Sequence, residues 1–509
     1  MKKAVQKIGG KEGKSFLFCL LTAAVFLTLC SRSSFLFSYN NWDDANSYFS
    51  MGKFLMNGGV IYRDLYDQKG PYLYLLYGIS YLISNDTFFG VFLMEILAIA
   101  FFFYYAYRTI RLYCSFKISI ALIPVLAMGT LSSLSFYWGG AAEEFCLPLL
   151  SYSLYTSIRY FKEEHPNLPS KKNIIINGIL AGVILQVKYT MLGFYFIWMG
   201  MMALSNLSKE KWKKTMVNAL LFLVSMFITM IPWLIYFGYH QALQDWYICY
   251  IYNNVFLYSN LQEQSVGLLE RLYDLAKILY NLILDNKAYF GFIVLGFYYM
   301  LFSKSNRWLE KINVFALFGF LFLGIYVGGA NIFYYSIPLM VFAAIGFGAL
   351  GRGLMKFEVS QEVFLAKGKK VYTLLGLCIF LLSLWGANTL SINTEYRRLE
   401  KEEHFLYTFK EIVEEKENPT LLNVNMLDAG LYTAAGIVPT CKYFQTNGIA
   451  LEELYEEQER YIREGKTDFV ITRFDYPDYI LDHYELVAEE MFNTSGKEES
   501  VYYLFKRKF

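Results

Sequence analysis

Asn40-Asn41-Trp42-Asp43-Asp44-Ala45-Asn46-Ser47-Tyr48, continued by Ile61-Tyr62-Arg63-Asp64-Leu65-Tyr66-Asp67-Gln68-Lys69-Gly70-Pro71, is the first polar stretch after the first long apolar run. It sits where the chain leaves a bilayer. Two adjacent carboxylates at a membrane surface repel each other, which favours keeping a proton on one of them. Such a pair suits a base that must take a proton from a hydroxyl. Between the pair and Lys69, the sequence predicts a short amphipathic helix over Asn46–Met56, closed by Asn57-Gly58-Gly59. Its apolar positions Tyr48, Phe49, Met51, Phe54 and Leu55 are expected to lie flat on the lipid interface.

Composition places the stretch in a polytopic membrane protein. The 509 residues are 56% hydrophobic and 19% aromatic, too apolar for a soluble enzyme of this length. A net charge of +2 implies no nucleic-acid partner. Seven cysteines, at 19, 30, 114, 146, 249, 378 and 441, form no CxxC and no metal-ligand spacing. They read as buried free thiols. The apolar run Phe16–Leu29 follows a lysine-rich start and lacks a small-x-small cleavage site, so it reads as a retained anchor.

At about 17 to 25 apolar residues per span, with shorter paired spans allowed, eleven helices are expected. They fall near 15–38, 88–107, 118–137, 144–161, 174–188, 190–205, 215–238, 289–303, 313–329, 331–350 and 371–389. Pro71–Ser84 is apolar but short, and reads as an aromatic helix in the outer leaflet. Basic clusters then fall on one side: Lys2 to Lys14, Arg108 to Lys117, Lys162 to Lys172, Lys209 to Lys214, Lys304 to Lys311, and Arg352 with Lys356 and Lys367 to Lys370. The positive-inside rule makes that side cytoplasmic, with the N-terminus inside and the C-terminus outside. The expected division is a transmembrane domain over 1–393, with a catalytic external loop at 39–87, and a soluble extracytoplasmic α/β domain over 394–509. In the latter, strands are predicted at Leu421–Met426, Phe469–Arg473, Tyr484–Met491 and Val501–Lys506. Helices are predicted at Glu395–Glu417, Asp428–Gly436 and Leu451–Glu464.

An acidic pair after the first span, then Gly59-x-x-Tyr62-Arg63-Asp64 and Lys69-x-Pro71, resembles the membrane-embedded glycosyltransferases of the C-type fold. The nearest groups are the protein-mannosyltransferase-like and bacterial aminoarabinose-transferase-like enzymes, with the lipopolysaccharide core transferases. The resemblance implies a polytopic α-helical C-type glycosyltransferase that moves a sugar from a polyprenyl-phosphate donor. The acceptor would be an extracytoplasmic glycan, lipid or protein, and one displacement would invert the anomeric carbon. Asp43 matches the catalytic aspartate, and Asp44 would orient it or hold the acceptor. Lys69, Arg63 and Lys188 would meet the donor phosphate, with Tyr62 and Asp64 in the same motif. Glu143 and Glu144 stand where relatives carry a functional carboxylate. No cofactor is expected; a divalent metal could be accommodated without being essential.

Each residue also has a plainer explanation. Asp43 could cap the helix that follows, and Glu143 and Glu144 could simply begin one, where acidic residues favour the dipole. Lys188, in the Gly178, Gly182, Lys188 context, could snorkel to the interface. Trp246, Tyr247, Tyr250, Tyr252, Asn253, Asn254, Tyr258 and Asn260 suit an interfacial belt as well as sugar stacking. Glu95 lies inside an apolar span where many relatives have arginine, and reads as a protonated carboxyl bonded to a neighbouring helix. Tyr334 replaces the histidine of a His-Tyr pair. Asn493-Thr494-Ser495 is a sequon and carries no weight. The rival functions are a transporter or flippase for lipid-linked saccharide, and a non-catalytic wall-polymer-binding protein.

Overall fold

The computed structural model describes residues 2–207, 211–258, 267–329, 331–360, 368–446, 448–449, 451–493 and 499–508. Lys209, Asn260, Lys367, Thr494 and Ser495 lie outside them. The chain divides into two compact units, each assembled from separate segments.

The first unit comprises Met1–Ser31, Glu95–Ile231 and Ser265–Thr394. The expectation of eleven spans is overturned. Among the described residues six helices are long and apolar enough to cross a membrane: Glu12–Cys30, Phe89–Arg111, Trp212–Tyr239, Trp308–Tyr326, Phe333–Lys356 and Val371–Leu390. A seventh is counted if Leu268–Asp285 and Lys287–Phe302, bent by 115° at their junction, form one span. The other expected spans fail on length or polarity. Phe116–Leu131 is short and interrupted at Leu122, before Pro124. Lys171–Leu185 has 15 residues and Leu192–Leu204 has 13. At about 1.5 Å per residue, such helices fall short of a hydrocarbon core of about 30 Å. Ala142–Arg159 carries Glu143 and Glu144 in its first turn and Pro148 inside.

Small residues set the closest packing in this unit. Gly178 and Gly182, one turn apart on Lys171–Leu185, lie against the carbonyls of Phe222 and Met226. A Cβ at either position would collide with that backbone, so the spacing seen in sequence serves helix contact.

The second unit comprises Arg32–Met94, Pro232–Gln264 and Glu395–Phe509. Its sheet has the order β1 (Leu421–Asn423), β2 (Phe469–Arg473), β4 (Glu499–Arg507), β3 (Tyr484–Asn493). The β1–β2 pair is parallel; the β2–β4 and β4–β3 pairs are antiparallel. Phe469 to Thr472 are all buried, as their apolar run suits a central strand. Glu452–Arg463 places Leu454, Gln458 and Ile462 at a spacing of four on its buried face. The helix predicted over Glu395–Glu417 is regular only from Phe405 to Glu414. Burial lowers the imidazole of His404 to about 3, and its Nδ1 accepts the Leu406 N–H at 3.3 Å, capping that helix.

The helix after the acidic pair belongs to this unit and runs Asp43–Met56. Tyr48, Phe49 and Met51 are buried in protein, not spread on lipid, and so are Asn46, Ser47, Ser50 and Lys53. Ser47, Ser50 and Lys53 find partners in the C-terminal polypeptide, while Asn46 Nδ2 donates to the Asn40 and Trp42 carbonyls. Ser50 Oγ donates to Asp428 Oδ2 at 2.6 Å, and Ser47 Oγ to Gln445 Oε1 at 2.5 Å. Lys53 Nζ donates to the carbonyls of Tyr432 and Ile437 at 2.8 and 3.3 Å. Tyr39 Oη lies within hydrogen-bond distance of Asn46 Oδ1, 2.7 Å, and of the Gly430 carbonyl, 2.9 Å. Gly430 has φ +107°, and a Cβ there would strike Tyr39 and Asn46.

Asp428 gives this docking a pH signature. Burial pushes its carboxyl up to about 6, against the opposing hydrogen bonds from Ser50 and Gly430 and the charge of Lys53. The folded state therefore holds a proton that the unfolded chain loses near pH 4. The stability this contributes is complete below about pH 4 and is lost as pH rises through about 6. Asp428→Asn, which stays neutral, should gain thermal stability relative to the parent protein as pH rises from 4.5 to 7. Parallel unfolding midpoints across that range would remove Asp428 as the titrating group.

Candidate active site

In the second unit, the helix begins at Asp43 itself. Trp42 occupies the capping position without a side-chain cap bond, so Asp43 is no cap. Its carboxylate meets β2 instead: Arg473 Nη2 donates to Asp43 Oδ2 at 2.8 Å. Both side chains are less than a fifth exposed, at 19% and 18%. Burial raises the Asp43 carboxyl above its ordinary range, the Arg473 charge pulls it back, and Asp44 raises it further. Asp44 Oδ2 accepts from Tyr48 Oη at 3.2 Å, and the same tyrosine ring lies 5.7 Å from Lys69 Nζ. Asp43, Asp44 and Lys69 are thus brought into one cluster around the first turns of the helix.

The Tyr62-Arg63-Asp64 motif forms a turn. Tyr62, at φ +70° and fully buried, donates its hydroxyl to the Lys69 carbonyl at 2.6 Å. Arg63 and Asp64 form a two-pronged pair at 2.7 and 2.8 Å, and Arg63 Nη1 donates to the His240 carbonyl at 2.8 Å. The Val60 N–H closes the turn on Asp64 Oδ2 at 3.2 Å. The amide-rich segment supports the same loop. Asn253 Nδ2 donates to Tyr66 Oη at 3.1 Å and Asn254 Nδ2 to the Gln68 carbonyl at 2.8 Å. Asp67, passed over in the sequence, is buried and accepts from Tyr74 Oη at 2.8 Å. The Lys69 N–H donates to the same hydroxyl at 2.8 Å, so the loop's path fixes the lysine's position.

The first unit holds the remaining candidates. Glu143 and Glu144 open the helix Ala142–Arg159 and are both buried. Glu143 forms an ion pair with Lys188. Lys188 Nζ also lies 3.6 Å from the Tyr335 ring centroid and 5.6 Å from that of Tyr334. It is a partnered charge at the bend between two short helices, not a snorkelling one. Glu144 Oε2 and Glu95 Oε1 accept the same Gly140 N–H, at 3.0 and 2.8 Å. Glu95 also accepts from Ser31 Oγ at 2.9 Å, which satisfies it between helices as its place in the span demands. Gly139, at φ +87°, leaves no space for a Cβ beside Ser31 and Glu95. Among the described residues no group of three or more His, Cys, Asp or Glu side chains is placed to hold a metal ion.

The sequence pattern of the family described as dolichyl-phosphate-mannose-protein mannosyltransferase matches residues 68–236. That segment includes Lys69, Glu143, Glu144 and Lys188 but neither member of the acidic pair. No curated protein matches the chain by sequence. The crystal structure of ArnT from Cupriavidus metallidurans bound to undecaprenyl phosphate is similar, with a TM-score of 0.63 and 12% identity, over 97% of this chain and 98% of that one. The archaeal oligosaccharyltransferase AglB from Archaeoglobus fulgidus, in complex with an inhibitory peptide and a dolichol-phosphate, is similar with a TM-score of 0.53 and 12% identity. That likeness covers 91% of this chain and 69% of AglB. The chain has the C-type membrane-glycosyltransferase fold that the stretch from Asp43 to Pro71 implies.

Proposed function

We propose that the chain is an integral-membrane glycosyltransferase. It moves a sugar from a polyprenyl-phosphate donor to a hydroxyl on an extracytoplasmic glycan, lipid or protein. The observation that carries this reading is the placement of Asp43, held by Arg473 on one oxygen and clustered with Asp44 and Lys69. The undecaprenyl phosphate of the ArnT structure and the dolichol-phosphate of the AglB structure support a lipid-phosphate donor.

In this mechanism Asp43 takes the acceptor proton as the hydroxyl oxygen attacks the anomeric carbon. The bond from that carbon to the phosphate oxygen breaks, and polyprenyl phosphate leaves with the electron pair. One displacement inverts the configuration. Lys69 meets the charge that grows on the phosphate, where a cation is worth more in a water-poor site. Arg63 already satisfies Asp64 and a backbone carbonyl, so it holds the loop in shape, with Tyr62 and Asp64 as parts of the same turn. In the first unit Lys188 and Glu143 act as a pair, and Glu144 fixes the turn before them. No step depends on a metal. The lysines before the first span support a cytoplasmic N-terminus, and an extracytoplasmic acceptor requires the C-terminal segment outside.

The test is consumption of a labelled undecaprenyl-phosphate-linked hexose or pentose by the protein in nanodiscs, with a cell-envelope fraction as acceptor. Asp43→Asn keeps size and shape but removes basicity. Its turnover per folded molecule should fall at least about 10²-fold. Near-parental turnover would end the base assignment. Donor moved across a vesicle membrane without being consumed would favour the transporter.

A further inference from the structure

Arg473 carries no motif and lies 430 residues from Asp43 in the chain, yet it is the cation on the candidate base. Two observations around it are independent of that contact. Asp43 Oδ1 is buried and has no hydrogen-bond partner among the described residues. A buried acceptor without a donor is uncommon and marks either strain or a reacting group. Directly after Arg473, Phe474 has φ +71° and is 60% exposed, while its N–H donates to the Val501 carbonyl at 2.8 Å. A left-handed backbone is unusual for a bulky side chain, and such strain collects at functional sites. The strand therefore ends in an unfavourable conformation at the point where its last side chain reaches the acidic pair.

Resting on the reading of Asp43 as base, we infer that Arg473 is a positioning residue that pins Oδ2 of Asp43 and so fixes the direction of the carboxyl that takes the acceptor's proton. The hydroxyl proton passes to the Asp43 carboxylate as the new carbon–oxygen bond forms and the phosphate departs. Oδ2 stays paired with the guanidinium throughout, so the carboxyl cannot rotate to exchange its oxygens. The guanidinium also opposes the burial that raises the Asp43 carboxyl. The other groups that face Asp43 work in the opposite sense: Asp44, its neighbour on the helix, and Asp428, whose carboxyl senses the Asp43 charge from the C-terminal segment. Behind Arg473, the Tyr502 hydroxyl on β4 lies 3.5 Å from Nη1 and braces the guanidinium.

The pH–rate profile separates positioning from support of the fold. With the labelled undecaprenyl-phosphate sugar as probe, Arg473→Gln should move the acidic limb of turnover upward by about one pH unit or more. Turnover at pH 7 should fall at least about tenfold, and Arg473→Lys should restore the limb most of the way. Should Arg473→Gln fail to fold, the double variant Asp43→Asn/Arg473→Gln removes both charges together. Its residual turnover should equal that of Asp43→Asn alone, because Arg473 acts only through Asp43. An unshifted limb in folded Arg473→Gln, or a further loss in the double variant, overturns the positioning role while Asp43→Asn remains inactive. An active Asp43→Asn instead overturns the base assignment itself.

Discussion

The helix Asp43–Met56 is fastened to the C-terminal polypeptide by buried polar bonds, and the candidate site depends on that fastening. Ser47, Ser50 and Lys53 point into protein, and each finds its partner between Asp428 and Gln445. Burying a lysine and an aspartate without partners would cost several kcal/mol each. Here carbonyls receive the ammonium, and a hydroxyl and an amide N–H meet the carboxyl. Because those bonds fix the helix, its first residue has a fixed direction, and Arg473 can meet Asp43 at 2.8 Å. The C-terminal polypeptide is thus part of the body that aims the candidate base.

The helix after the acidic pair was legible as far as Met56, because Asn57-Gly58-Gly59 closes it. The four strands were legible as well: β2 occupies Phe469–Arg473 as predicted, since a continuous apolar run bounded by polar turns has few other uses. The number of spans was not. Hydropathy registers apolar runs but not the breaks that divide them, such as the one at Leu122 or the 115° bend between Asp285 and Lys287. The face of Asp43–Met56 was misread for a related reason. An apolar stripe of Tyr48, Phe49 and Met51 looks the same against lipid as against protein. The discriminating signal was on the other faces, where Asn46, Ser47, Ser50 and Lys53 are too short or too costly to leave unpartnered in an apolar setting. Arg473 and Asp428 could not be found from spacing, because their partners lie 430 and 378 residues away.

In the other unit, the candidate residues also make structural bonds. Glu143 begins a helix and pairs with Lys188, so the two explanations weighed for it are compatible. Removing Lys188 alone would leave a buried carboxylate without its cation, a loss of about 3 to 5 kcal/mol in stability. Glycines 178 and 182 in the same neighbourhood are explained by helix contact alone.

If the candidate base is aimed by the C-terminal polypeptide, the helix Asp43–Met56 must open only when that polypeptide opens. Hydrogen exchange followed by mass spectrometry on the protein in nanodiscs measures this directly. Amides of Ser47 to Lys53 should exchange as slowly as those of the central strand Phe469–Arg473, and both should accelerate together under mild denaturant. A helix that exchanged like an independent surface loop while the sheet stayed protected would contradict the account.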